Sequence, residues 1–164
     1  MQTQFLTSKA ITAIYGAEPT LGLHAELRAS AQKAGLESKY HILPSSVVTS
    51  ELLPALQKQG VISNNVNSIE QVRAQGGIFD TIICVRVLCS VPDQEKTVRD
   101  LYAMLKPGGK VLVTEHVVNP WRTAKGSVVA RTMQSIYHLF GGGFFLGDCF
   151  MLRGTGEALR GGAD

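Results

Sequence analysis

The sequence predicts an α/β fold with a mostly parallel sheet and helices on both of its faces. Three observations carry that expectation. Short apolar runs alternate with helix-patterned stretches along the chain. The run from Asp80 to Val87 (DTIICVRV) is rich in β-branched residues and apolar on both faces, as a strand inside a parallel sheet is. Glycine, or proline with glycine, stops three of the helical patterns, at Gly35, at Lys106-Pro107-Gly108-Gly109 and at Gly141-Gly142-Gly143.

Taken in order, Ala10 to Gly16 (AITAIYG) reads as a buried strand that ends in a turn at Gly16, Glu18 and Pro19. Thr20 to Ala34 reads as a helix, with Leu23, Leu27 and Ala31 every four residues, Thr20 as its cap and Gly35 closing it. Tyr40 to Leu43 is a weaker strand, and Glu51 to Gln59 a short helix. Residues 61–77 are polar, with Asn64, Asn65 and Asn67, and read as a surface loop carrying a short helix. After the strand at 80–87, Asp93 caps a helix with apolar positions Val98, Leu101, Tyr102 and Leu105. That helix stops at Lys106-Pro107-Gly108-Gly109, and Lys110 to Glu115 (KVLVTE) is the next strand. The KPGG stretch follows a helix, not a strand, so it reads as a stop and turn and not as a phosphate loop. Val129, Met133, Ile136, Tyr137 and Phe140 mark one face of a last helix, read as core packing, that ends in Gly141-Gly142-Gly143. The expected sheet is built from residues 11–16, 40–43, 80–87 and 110–115.

With 164 residues, 45% hydrophobic and 18% charged, the chain reads as one globular domain, 1–164, able to bury a core without metal or disulfide staples. A net charge of +3, with no basic run, argues against a nucleic-acid or acidic-lipid partner. Cys84, Cys89 and Cys149 are an odd set in apolar surroundings and read as small buried hydrophobes; with the four histidines scattered, no metal site is expected. Cysteine usage of this kind suits a reducing, cytoplasmic setting. The start MQTQFLTSKA lacks the pattern of a signal peptide. The longest apolar stretch, Ile78 to Val91, is broken by Asp80 and Arg86 and is too short to span a membrane.

Three segments carry a family resemblance: YGAEP (Tyr15 to Pro19) with a following helix that ends AGL, FDTIICVRVLCSVPD (Phe79 to Asp93), and LYAMLKPGGKVLVTEHV (Leu101 to Val117). A fourth, GDCFMLRGT (Gly147 to Thr155), is similar to a Gly-Cys-x-x-x-Arg-x-Thr stretch of the same group. Together they resemble the class I S-adenosylmethionine-dependent methyltransferases, of the ubiquinone-type and methyltransferase-like groups, with phrasing closest to fungal members. The resemblance implies a Rossmann-like sheet, S-adenosylmethionine as cofactor, and methyl transfer to the hydroxyl, thiol or carbon of a small molecule, in secondary metabolism. It assigns Glu18, with Pro19 beside it, to the cofactor ribose; on the residues alone Glu18 reads equally as a turn acid favouring the helix dipole. Val85 and Arg86, at a strand's end, fall near the methionine part of the cofactor; Arg86 reads equally as a surface or salt-bridging residue. His116 stands where a base would take the acceptor's proton, or where a histidine simply packs. Asp80 sits at the start of its strand and is assigned no catalysis.

Two features depart from the family pattern. No glycine-rich Gly-x-Gly-x-Gly turn precedes Ala10, and Ser45 and Ser46 stand where an acid often binds adenine. In the family's strand order, 3-2-1-4-5-7-6, the first strand and the C-terminal hairpin are expected to be missing. The strands of Tyr15 and Cys84 would then either pair directly or leave an open edge for a protein partner to cover. A second reading is therefore an inactive relative that binds or assembles. A nicotinamide-dependent dehydrogenase is a third and weaker one, because the dinucleotide fingerprint is absent.

Overall fold

A computed structural model describes residues 10–124, 126–141 and 149–162. Residues 1–9, Gly142, Gly143, Gly147 and Asp148, which figure in the sequence motifs, lie outside the described residues. The chain divides into two compact units, Met1–Asn65 and Val66–Asp164.

In the first unit, β1 (Ile14–Ala17) and β2 (Tyr40–Leu43) run parallel, with Ile14 opposite Tyr40 and Ala17 opposite Leu43. The Tyr15 and His41 rings face each other across this ladder, stacked with centroids 5.2 Å apart. β1 starts later than residue 11 because its partner is only four residues long. Ile14 N–H donates to Lys39 O at 2.8 Å, and the backbone before Lys39 has already turned out of the preceding helix. Thr20 is not the cap its position suggested: its side chain makes no capping bond, and the chain passes through a 3-10 turn, Leu21–Leu23, into α1 (His24–Lys33). Its own N–H is taken instead by Glu18 Oε1 at 2.8 Å. Ala31 and Leu36 join Leu43 and the buried leucines Leu52, Leu53 and Leu56 of α2 (Thr49–Lys58) in the core, whereas Leu23 is exposed.

The second unit opens with α3 (Ile69–Ala74), closed by a capping box in which Ser68 and Gln71 satisfy each other's backbone N–H groups. β3 (Phe79–Val85) and β4 (Leu105–Thr114) are parallel and joined by α4 (Gln94–Ala103). Asp93 Oδ1 accepts Lys96 N–H at 2.9 Å, which fixes the start of α4 as expected. Val98 and Leu101 are buried, each burial contributing about 1.5–3 kcal/mol. KPGG is not separate from the strand: the ladder passes from Phe79–Leu105 directly to Thr81–Lys110, so residues 106–109 bulge opposite Asp80. Gly108 takes the left-handed φ of 79° that this bulge needs. Lys106 Nζ reaches the exposed Asp80 carboxylate at 3.1 Å, which leaves Asp80 a surface ion-pair residue. Gly77, at φ 76°, lies so close to Leu105 O that a Cβ would meet it at 2.1 Å.

Two expectations about burial and assembly are corrected. The single sheet is replaced, among the described residues, by two separate two-stranded parallel sheets, β1–β2 and β3–β4. β1 pairs with β2 and β3 with β4, and among the described residues β1 does not pair with β3. The apolar stripe of α5 (Val128–Leu139) is not core: Val129, Met133, Ile136, Tyr137 and Phe140 are all exposed. The helix is tethered by a polar side chain, Gln134, whose Oε1 accepts Asn119 N–H at 2.8 Å and whose Nε2 donates to Val117 O at 3.0 Å. The last helix, α6 (Thr155–Gly161), docks on α4 through Tyr102 Oη, which donates to Leu159 O at 3.2 Å. No helix among the described residues is long and apolar enough to cross a membrane.

Candidate functional site

The residues singled out by sequence divide between the two units. In the first, Glu18 and the exposed Pro19 follow the carboxyl end of β1. Glu18 is held by its whole length: its N–H donates to Leu43 O at 3.0 Å, its carbonyl accepts His24 Nε2–H at 2.8 Å, and Oε1 accepts Thr20 N–H. Oε2 has no hydrogen-bond partner among the described residues, and the bond to Oε1 orients the carboxylate just past the strand end. Burial, followed by the Glu18 charge, raises the Tyr40 phenol above its usual value. Beyond β2, Ser45 is buried at 4% exposure, and its Oγ has no hydrogen-bond partner among the described residues. A buried hydroxyl left in that state costs about 1–3 kcal/mol unless a bound group completes it.

In the second unit the carboxyl ends of β3 and β4 lie side by side, Val85 opposite Thr114. Arg86 N–H donates to Thr114 O at 2.8 Å, and Arg86 adopts a left-handed φ of 54°, the one such non-glycine residue described. Its side chain is exposed and makes no ion pair among the described residues, so the salt-bridging reading finds no partner there. Glu115, which ends the β4 run, is not free for chemistry. Its carboxylate accepts the N–H groups of Val87, Leu88 and Cys89 at 2.7, 2.9 and 3.3 Å, and so fixes the loop after β3.

His116 follows it, half-buried, with Nδ1 3.2 Å from Cys149 Sγ. Cys89 lies in the same cluster: one donor atom from each of Cys89, His116 and Cys149 lies within 4.8 Å of the others. All three cysteines are buried, as their apolar surroundings predicted, but nothing in their spacing indicates that two of them meet a histidine. Burial, and then contact with Cys89, pushes the Cys149 thiol up to about 12.

The segment around Cys149 braces this region. Phe150 N–H donates to Cys89 O at 3.0 Å, and Arg153 Nη1 donates to Leu88 O at 3.4 Å and also to Val91 O. Gln94 Nε2 donates to Leu88 O at 3.0 Å and to the buried Thr155 Oγ1 at 2.9 Å. The cysteine, arginine and threonine of the fourth motif thus act on the loop after β3.

Residues 11–141 match the family described as "Methyltransferase domain". The chain belongs to that methyltransferase family. Membership implies S-adenosylmethionine as the methyl donor. Among characterised methyltransferases, the chain is 34% identical over 73 residues to a ubiquinone biosynthesis O-methyltransferase of Xanthomonas euvesicatoria pv. vesicatoria; the match covers 44% of this chain and 30% of that protein. It is 44% identical over 41 residues to the thiol S-methyltransferase TMT1A of Homo sapiens, covering 25% of this chain and 17% of that protein. The human thiol S-methyltransferase TMT1B is 38% identical over 45 residues, covering 27% and 18%. The chain therefore spans less than a third of the length of these relatives.

Proposed function

We propose that this chain carries the cofactor-holding and proton-accepting residues of an S-adenosylmethionine-dependent methyltransferase acting on a small-molecule hydroxyl, thiol or carbon. One observation carries the reading most directly: Glu18 Oε2 is fixed at a strand's carboxyl end and has no partner among the described residues. A carboxylate there accepts both ribose hydroxyls at once. The orphaned Ser45 Oγ supports the same ligand, since a nucleoside base supplies the partner that a buried hydroxyl lacks. When bound, S-adenosylmethionine supplies a methyl group on a sulfonium, already activated for transfer to a nucleophile.

The chain's own part is then orientation and proton removal. Val85 and Arg86, at the end of β3, line the methionine side. His116 accepts the acceptor's proton at Nε2, which requires the tautomer whose Nδ1–H donates to Cys149 Sγ. Calorimetric titration of the chain with S-adenosylmethionine and S-adenosylhomocysteine tests the reading. Charged-group hydrogen bonds contribute about 1.5–3 kcal/mol, so Glu18→Ala is expected to weaken binding roughly 10- to 100-fold. An unchanged affinity removes Glu18 from the site.

A binding or assembly role is the second reading, favoured by the exposed apolar side chains of Ile83, Leu112 and α5. Its partner would be a protein that covers the open sheet face.

A further inference from the structure

Cys89, His116 and Cys149 come from three places in the second unit: the loop after β3, the segment just past β4, and the stretch before α6. Donor atoms from the three nevertheless lie within 4.8 Å of one another, and His116 Nδ1 is 3.2 Å from Cys149 Sγ. Cys89 and Cys149 are 1% and 3% exposed, whereas His116 is half-buried. A tetrahedral zinc ion, with bonds of about 2.3 Å to sulfur and 2.0–2.1 Å to nitrogen, needs donors about 3.5–3.8 Å apart. Closing this triangle around an ion therefore asks for shifts of no more than about 1 Å, within reach of side-chain rotation.

The cluster is also braced. Phe150 N–H on Cys89 O links the two cysteine segments, and the Glu115 carboxylate holds the Cys89 loop through its backbone. The nearby Glu115 charge favours a cation here, and that of Arg153, held on the Leu88 and Val91 carbonyls, opposes it.

We propose that Cys89 Sγ, Cys149 Sγ and His116 Nδ1 form a three-ligand zinc(II) site with its fourth position open. Each thiol ligates as a thiolate, so two protons leave for each zinc bound. Zinc on Nδ1 leaves the ring proton on Nε2, so a loaded chain cannot use this ring as its base. The open position instead binds a thiol or hydroxyl and lowers its pKa. The inference stands on the geometry of the cluster and not on the methyl-transfer reading. A chain that binds the metal but not S-adenosylmethionine, or the reverse, separates the two.

The test uses the 164-residue chain, free of any histidine tag, reduced and stripped of metal, titrated with cobalt(II) and then zinc(II). One cobalt per chain is expected, with thiolate-to-cobalt charge-transfer absorption and the visible bands of tetrahedral cobalt, displaced by one equivalent of zinc. Cys149→Ser should remove part of the charge-transfer intensity. His116→Asn should keep it but weaken affinity by more than the roughly 10- to 100-fold caused by loss of an outer-shell partner. Because Cys149 is buried and its variant can fail to fold, His116→Asn, checked by circular dichroism and melting, is the decisive arm. A parent chain without charge-transfer absorption, or a His116→Asn chain that binds cobalt as the parent does, overturns the proposal.

Discussion

Arg86 occupies a backbone conformation that costs a side chain about 1–2 kcal/mol, and its position at the end of β3 puts that cost beside the strand ends. The left-handed φ lets the chain leave the ladder right after Arg86 N–H bonds Thr114 O, so that the next three N–H groups turn toward Glu115. Because the side chain is exposed, substitution there probes the backbone alone. Arg86→Gly is expected to stay within about 0.5 kcal/mol of the parent, relief of strain offsetting the greater freedom of the unfolded chain. Arg86→Val should lose more than about 1 kcal/mol, since a β-branched residue is poorly accommodated at positive φ. Urea unfolding of both variants checks this, and equal stabilities would refute it.

Cys84, on the same strand, is pushed up to about 11 from 9.0, first by burial and then by the Glu115 charge. Between those values the unfolded chain has lost the thiol proton and the folded chain keeps it, so stability falls as pH rises through this window. Melting temperatures from pH 9 to 11 should decline less steeply in Cys84→Ala than in the parent, whatever their difference at neutral pH.

At the scale of elements, the local signals work where the partner is near in sequence. Asp93 caps α4 through Lys96 N–H, and Ser68 with Gln71 closes α3, because a cap needs only the next turn. Asp93→Ala is expected to cost about 1 kcal/mol, with Asp93→Asn recovering most of it, in thermal unfolding. Loss beyond that would mean that the acid also holds the loop it ends. β4 shows the limit of local reading. Proline and two glycines announced a turn correctly, yet Leu105 already pairs with Phe79 before the bulge, and only the neighbouring strand decides where pairing begins.

For the whole molecule, the consequential feature is apolar surface left uncovered. Ile83 and Leu112 stand opposite each other in the β3–β4 ladder and are 49% and 52% exposed, although the β3 run reads as apolar on both faces. With the α5 stripe they give the chain surface of the kind that binds a partner or drives association. Replacing Ile83 and Leu112 together by threonine keeps β-propensity and should leave the melting temperature nearly unchanged. Binding of a hydrophobic dye and concentration-dependent light scattering should both fall. A sharp loss of stability instead would show that these side chains are core.

By itself the sequence determined most element types, the parallel pairing of neighbours in the chain, the Asp93 cap and the family. Each of these rests on residues a few positions apart or on motifs such as YGAEP and KPGGKVLVTEH. The place of Glu18 just past the end of β1 was legible for the same reason. Only the tertiary structure decided the rest. Glu115 reaches back 26 residues to Cys89 N–H, and His116 meets Cys149 33 residues ahead. A scattered set of cysteines and histidines thereby became one cluster. The same holds for the stripe of α5: periodicity says that five apolar side chains share a face, but whether anything covers that face is a matter of distant chain. Here the tether is the amide of Gln134. Spacing along a helix or strand fixes which side chains share a face, and long-range packing alone fixes what that face meets.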